Sequence, residues 1–144
     1  MNTEDLLNLY TESSFIKNLS KNIDSISNIN GFSGSQISFI AGAIYNLNSS
    51  NHFFIFENKE SALLFKNDFE IISKKQTSLF TTNTEKKNSA KEITQNTKSL
   101  FEINSEKKNI LISFKDAVNQ KTPNSSNFKS KVLNIKIGDK IKTD

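Results

Sequence analysis

Cysteine is absent from this 144-residue chain, which excludes disulfides, thiolate zinc sites and a cysteine nucleophile. Arginine is absent too: all 19 basic residues are lysine. The chain therefore lacks the planar fork that suits phosphate and guanine. There is no tryptophan, one proline, one histidine and four glycines. No apolar run approaches the ~18 residues of a membrane span. The opening "MNTEDLLNLY" carries acids where a secretory signal needs bases, so a cytoplasmic location with no membrane partner is expected.

What remains is rich in Asn, Ser, Lys, Ile and Phe, with twelve phenylalanines and a hydrophobic fraction of only 35%. The length fits one domain with a buried core and long loops. The net charge is +4 and the lysines are scattered, which fits a solvated surface better than a nucleic-acid patch. The Lys, Asn, Ile and Phe bias is also what AT-rich codons produce.

Apolar spacing of three and four along "TEDLLNLYTESSFIKNLSKNI" predicts two helical pieces broken near Thr11–Ser14. "SISNIN" reads as a short strand. "QISFIAGAIYNL" reads as a helix whose Ala41–Gly42–Ala43 face would press closely on a sheet. "HFFIFE" and "NILISF" are continuous apolar runs, the pattern of strands covered on both faces. "NKESALLFKNDFEII" has helical spacing, with Asn58 and Ser61 at its start. "TSLF" is a candidate third strand, "ITQNTKSLFEI" a weak helix and "KDAVNQK" a short one ending before Pro123. "TTNTEKKNSAKE" and "TPNSSN" read as loops, and "KVLNIKIGDKI" as a half-exposed strand. Strands alternating with helices imply an α/β fold with a parallel sheet flanked by helices. The expected division is an α/β domain over 1–130, then an edge strand and exit over 131–144.

The stretch "INGFSGSQISF" would place a small-residue loop between a strand and a helix, the parts of a phosphate cradle. A working P-loop needs a Lys to reach the β- and γ-phosphates and a hydroxyl to hold magnesium. Here neither Gly31 nor Gly34 leads to a Lys followed by Ser or Thr, and the next lysine is Lys59. The candidate loop of Gly31, Ser33, Gly34 and Ser35 is thus degenerate. No ATP, other cofactor or metal is expected there, although amides at a helix start still attract anions. A packing turn is the plain alternative.

Other candidates are weaker. His52 opens an apolar run without a Cys or second His beside it, which favours a structural role. Asp68 and Glu70, two apart on a helix, share no face and make no acid–base pair. Asp116 favours a helix start electrostatically. No catalytic residue is assigned. Lys74, Lys75, Lys86, Lys87 and Lys91 form the densest basic stretch, which lacks interleaved aromatics for base stacking and reads as a solvated loop before a nucleic-acid contact.

Four segments, taken in order, resemble the extreme N-terminal domain of the bacterial transcription-repair coupling factors (Mfd), in their Bacteroidetes-like form. "INGFSGSQISFIAGAI" resembles that family's leucine-glycine-serine loop and helix. "HFFIFENKESALLFKNDFE" resembles its next strand and helix, with Lys59, Glu60, Ala62, Phe65, Asn67, Asp68 and Glu70 in step. "ILISFKDAVNQKTP" and "VLNIKIGDKI" resemble its later strand–helix pair and exit strand. The resemblance spans about residues 6–142. It departs at "LFTTNTEKK", where the family has an aromatic–proline stretch, and at "ITQNTKSLF", where it has an Arg–Glu pair.

The resemblance implies a RecA-like lobe, similar to the N-terminal lobe of the excinuclease protein UvrB, with a degenerate phosphate loop and no enzymatic activity of its own. It implies a role in transcription-coupled nucleotide excision repair, supporting recruitment of UvrA and restraint of a DNA translocase motor. The motor and the contacts to RNA polymerase and DNA would lie in downstream modules. The UvrA surface would lie mainly in a domain beginning about where "GDKIKTD" stands. The alternative is an independent small α/β module binding a nucleotide or anion at Gly31–Ser35.

Overall fold

The computed structural model describes residues 2–25, 30–48, 50–82, 90–103, 105 and 108–131. Helices α1 (Thr3–Glu12) and α2 (Ser14–Lys21) meet at Ser13, in the predicted interval. A reciprocal capping box fixes the start of α1. Asn2 Oδ1 accepts from the Asp5 N–H at 2.8 Å, and Asp5 Oδ2 accepts from the Asn2 N–H at 2.9 Å. A 3₁₀ turn at Ile23–Ser25 follows. The "SISNIN" strand falls largely on 26–29, outside the described residues.

Helix α3 (Gln36–Leu47) leads to β1 (His52–Phe56), α4 (Lys59–Ser73) and β2 (Ser78–Leu79). As its sequence predicts, Asn58 caps α4, its Oδ1 accepting from the Ser61 N–H at 2.9 Å. Then come α5 (Ala90–Ile103), β3 (Ile110–Phe114), α6 (Lys115–Val118) and α7 (Ser125–Lys131). Helix α7 corrects the reading of "TPNSSN" as loop throughout. Asn124 initiates it, its Oδ1 accepting from the Asn127 N–H at 2.8 Å. The exit strand expected in "KVLNIKIGDKI" lies beyond 131, outside the described residues.

The described strands form one parallel sheet in the order β1-β3-β2. Phe54 pairs with Ile112 on one side, and Leu79 pairs with Ile112 on the other. The sequence expectation of a parallel sheet flanked by helices therefore holds. Central β3 is buried along its whole length, as a continuous apolar run should be.

Strand β1 corrects that same reading. It lies at an edge of the described sheet, and its burial alternates. Phe54 and Phe56 face α4, where their rings meet Phe65 and Phe69 at centroid distances of 4.8–6.0 Å. Phe53 and Ile55 point the other way and are 52% and 55% exposed. An apolar run covered on one face only has the same sequence as one covered on both.

The small face of α3 is a second correction. A Cβ on Gly42 would stand 3.2 Å from Leu7 and 3.8 Å from Ile72 and Ser73. The close approach is thus to helices α1 and α4, not to the sheet. Two cores result. One joins the sheet to α4 through Phe65, Phe69 and Ile112; the other joins α1, α2 and α3 through Leu7, Ile16 and Ile44.

Candidate functional site

The glycine loop opens α3. Gly31 and Gly34 have φ of +93° and +55°, the left-handed region that strains any residue with a Cβ. Among the described residues, no atom lies within 4 Å of where a Cβ on either would stand. Both glycines therefore serve the backbone turn and not a close approach.

The polar groups of the loop stay at the surface but are already partnered. The Ser33 N–H donates to Gln36 Oε1 at 3.2 Å, and the Gln36 N–H returns to the Ser33 carbonyl at 3.3 Å. Ser35 stands at the N-cap of α3 without capping it; its hydroxyl donates to Asp68 Oδ2 at 2.7 Å. An anion approaching this helix start meets the Asp68 carboxylate and an amide already taken by Gln36. In sequence the nearest acid to Asp68 is Glu70, two residues on. The fold instead brings Asp68 to Ser35, 33 residues earlier. Nothing local in the sequence signals that pairing.

His52 fits its structural reading. Its Nε2–H donates to the Asn48 carbonyl at 2.8 Å. Its ring stands edge-on to Tyr45 at 5.3 Å and stacks on Phe54 at 6.1 Å. Asp116 lies in the first turn of α6, exposed. Among the described residues, no three His, Asp or Glu side chains gather to hold a metal. No helix among them is long and apolar enough to cross a membrane.

Glu70 is held elsewhere, in a cluster with Lys66 and Thr77. Its Oε1 accepts from the Lys66 ammonium and, at 2.8 Å each, from the Thr77 N–H and hydroxyl. Burial pushes the carboxyl up, but these donors outweigh it and leave its pKa below the ordinary value.

Several recesses stand apart from the glycine loop, among them one of about 800 Å³ between α5 and α7, lined by Phe101, Pro123 and Phe128. An apolar groove of about 340 Å³ lies on the sheet face away from α4, between Phe53, Leu111, Leu100 and Val118. A polar cavity of about 230 Å³ lies where β2 and β3 begin, and Lys75, Lys98 and Lys108 line it. Of the basic stretch noted in the sequence, Lys75 is here and Lys74 pairs with Glu4 at 2.8 Å. Lys86 and Lys87 lie outside the described residues. Lys98 and Lys108 were not singled out by sequence, because 23 and 33 positions separate them from Lys75. No protein-family model, curated protein or solved structure matches the chain.

Proposed function

We propose that the chain is the non-catalytic N-terminal domain of a transcription-repair coupling factor, a RecA-like lobe whose phosphate loop has become a packing turn. The observation that carries this reading is the Ser35–Asp68 bond at the start of α3. Ser35 follows Gly34 where a nucleotide-binding loop would present a lysine, its hydroxyl is held by the Asp68 carboxylate, and the Ser33 amide is satisfied by Gln36. The order of elements is a second support. "HFFIFENKESALLF" falls on β1 and α4, and "ILISFKDAV" on β3 and α6, the strand–helix pairs that the resemblance requires.

In this role the domain is a scaffold in transcription-coupled repair. It supports a UvrA-recruiting surface carried mainly by the domain that follows in the family, and it helps restrain the motor. The test is a pull-down of UvrA with residues 1–144 and with a longer chain extended through that following domain. UvrA should be retained by the longer chain and weakly or not at all by residues 1–144. Firm retention by residues 1–144 alone would place the interface here and refute the assignment of roles. Loss from both chains would refute membership of the family.

A further inference from the structure

We propose that the cavity where β2 and β3 begin is a binding site for a phosphate group, held by Lys75, Lys98 and Lys108. This site is separate from the glycine loop. Three elements far apart in sequence build it: the α4–β2 connection, the last turns of α5 and the residues entering β3.

Among the described residues its charge is unbalanced. The three lysines face one lining carboxylate, that of Glu102, which lies 3.8 Å from Lys98 and accepts from the Ser78 hydroxyl. Three positive charges less one leave two, the charge of a phosphate monoester near neutral pH. Neither Lys75 nor Lys108 has an acid partner among the described residues. Glu70, close by through Thr77, is already matched by Lys66 and adds no net charge.

One backbone group that would oppose an anion here is screened. Helix α5 ends at this cavity, and its terminal carbonyls would repel one. The Glu102 carbonyl is covered instead by the Asn109 side-chain amide, which also donates to Ser105 at 3.2 Å. The three lysines are exposed, so water screens their mutual repulsion, and a bound anion lowers it further. A compact dianion relieves that repulsion with three charge-assisted bonds. Lysine suffices because a point charge, unlike a fork, needs no fixed approach.

The experiment is calorimetric titration of the chain with inorganic phosphate at low salt. Binding in the range of about 1 mM or tighter is expected. The Lys75→Gln/Lys108→Gln double variant should weaken it roughly tenfold or more. The Lys115→Gln/Lys121→Gln double variant removes the same charge, with Lys115 at the other end of β3, and should stay within about twofold of wild type. No binding by wild type, or equal weakening by both variants, would overturn the proposal. Repeating the titrations with phenyl phosphate and with a short oligodeoxynucleotide identifies the source. A loss confined to phenyl phosphate assigns the site to a small phosphomonoester, and a parallel loss for the oligonucleotide assigns it to a nucleic-acid backbone.

Discussion

The side chain of Asn96 takes both backbone polar groups of Thr81: its Oδ1 accepts the Thr81 N–H at 2.9 Å and its Nδ2 donates to the Thr81 carbonyl at 2.8 Å. A helix residue thus stands in for a strand partner just past the end of β2. Both residues are buried. Asn96 is a poor helix former, and its place inside α5 is explained by this bond pair. Replacing Asn96 with Ala removes the acceptor that the buried Thr81 N–H uses. Asn96→Ala should cost roughly 2–4 kcal/mol in urea unfolding, above the ~1 kcal/mol of an ordinary hydrogen bond. A cost under about 0.5 kcal/mol would mean that water replaces the amide.

The sheet supplies a contrast between two phenylalanines. Phe69 is fully buried among Phe54 and Phe65, while Phe53 is half exposed. Phe69→Ala should cost roughly 3–5 kcal/mol and Phe53→Ala under about 1 kcal/mol. Ile112→Ala, in the middle of β3, should fall in the range of roughly 2–5 kcal/mol. Equal losses at Phe53 and Phe69 in thermal melts would mean that β1 is covered on both faces in solution.

Glu70 sets a pH dependence. Its folded pKa lies below its ordinary value, so its contribution is present above the unfolded pKa of 4.5. That contribution is lost as pH falls through the lower, folded value. Glu70→Gln should remove this slope and cost roughly 1–2 kcal/mol at neutral pH. Urea midpoints measured from pH 7 down to pH 3 check it: the wild type should approach the variant as pH falls. A gap that persists undiminished at pH 3 would assign the loss to packing.

At the glycine loop, Gly34→Ala should cost about 1 kcal/mol through φ alone, since the space around a Cβ there is open. It should leave any affinity for magnesium-ATP unchanged. Low-micromolar ATP binding that disappears in Gly34→Ala would restore the loop as a nucleotide site. Affinity that instead follows Lys75 and Lys108 would belong to the cavity at the start of β2 and β3.

The elements of this fold were legible where local pattern decides. The break at Ser13, the cap at Asn58 and the buried run of β3 follow from spacing, side-chain chemistry and apolar content. Burial of β1 on one face was not legible, because covering depends on which strand is central, and strand order is a property of the whole chain. The loop was recognisable from Gly31 and Gly34, but the partner of Ser35 is Asp68, which only the packing of α3 on α4 brings near. The lysine cavity has no local signature at all. Its three members come from separate connections, and each alone looks like a surface charge.

Both cores are closed over long stretches of chain. The helical one brings Leu7 together with Ile72, 65 positions on. The sheet brings His52 to Ile110, and the Asn109 N–H to Asn51 Oδ1, across 58 positions. Loop-closure entropy grows slowly with length, so the two closures cost about the same. Kinetically neither core has a head start: both wait on contacts distant in sequence, and such contacts slow folding.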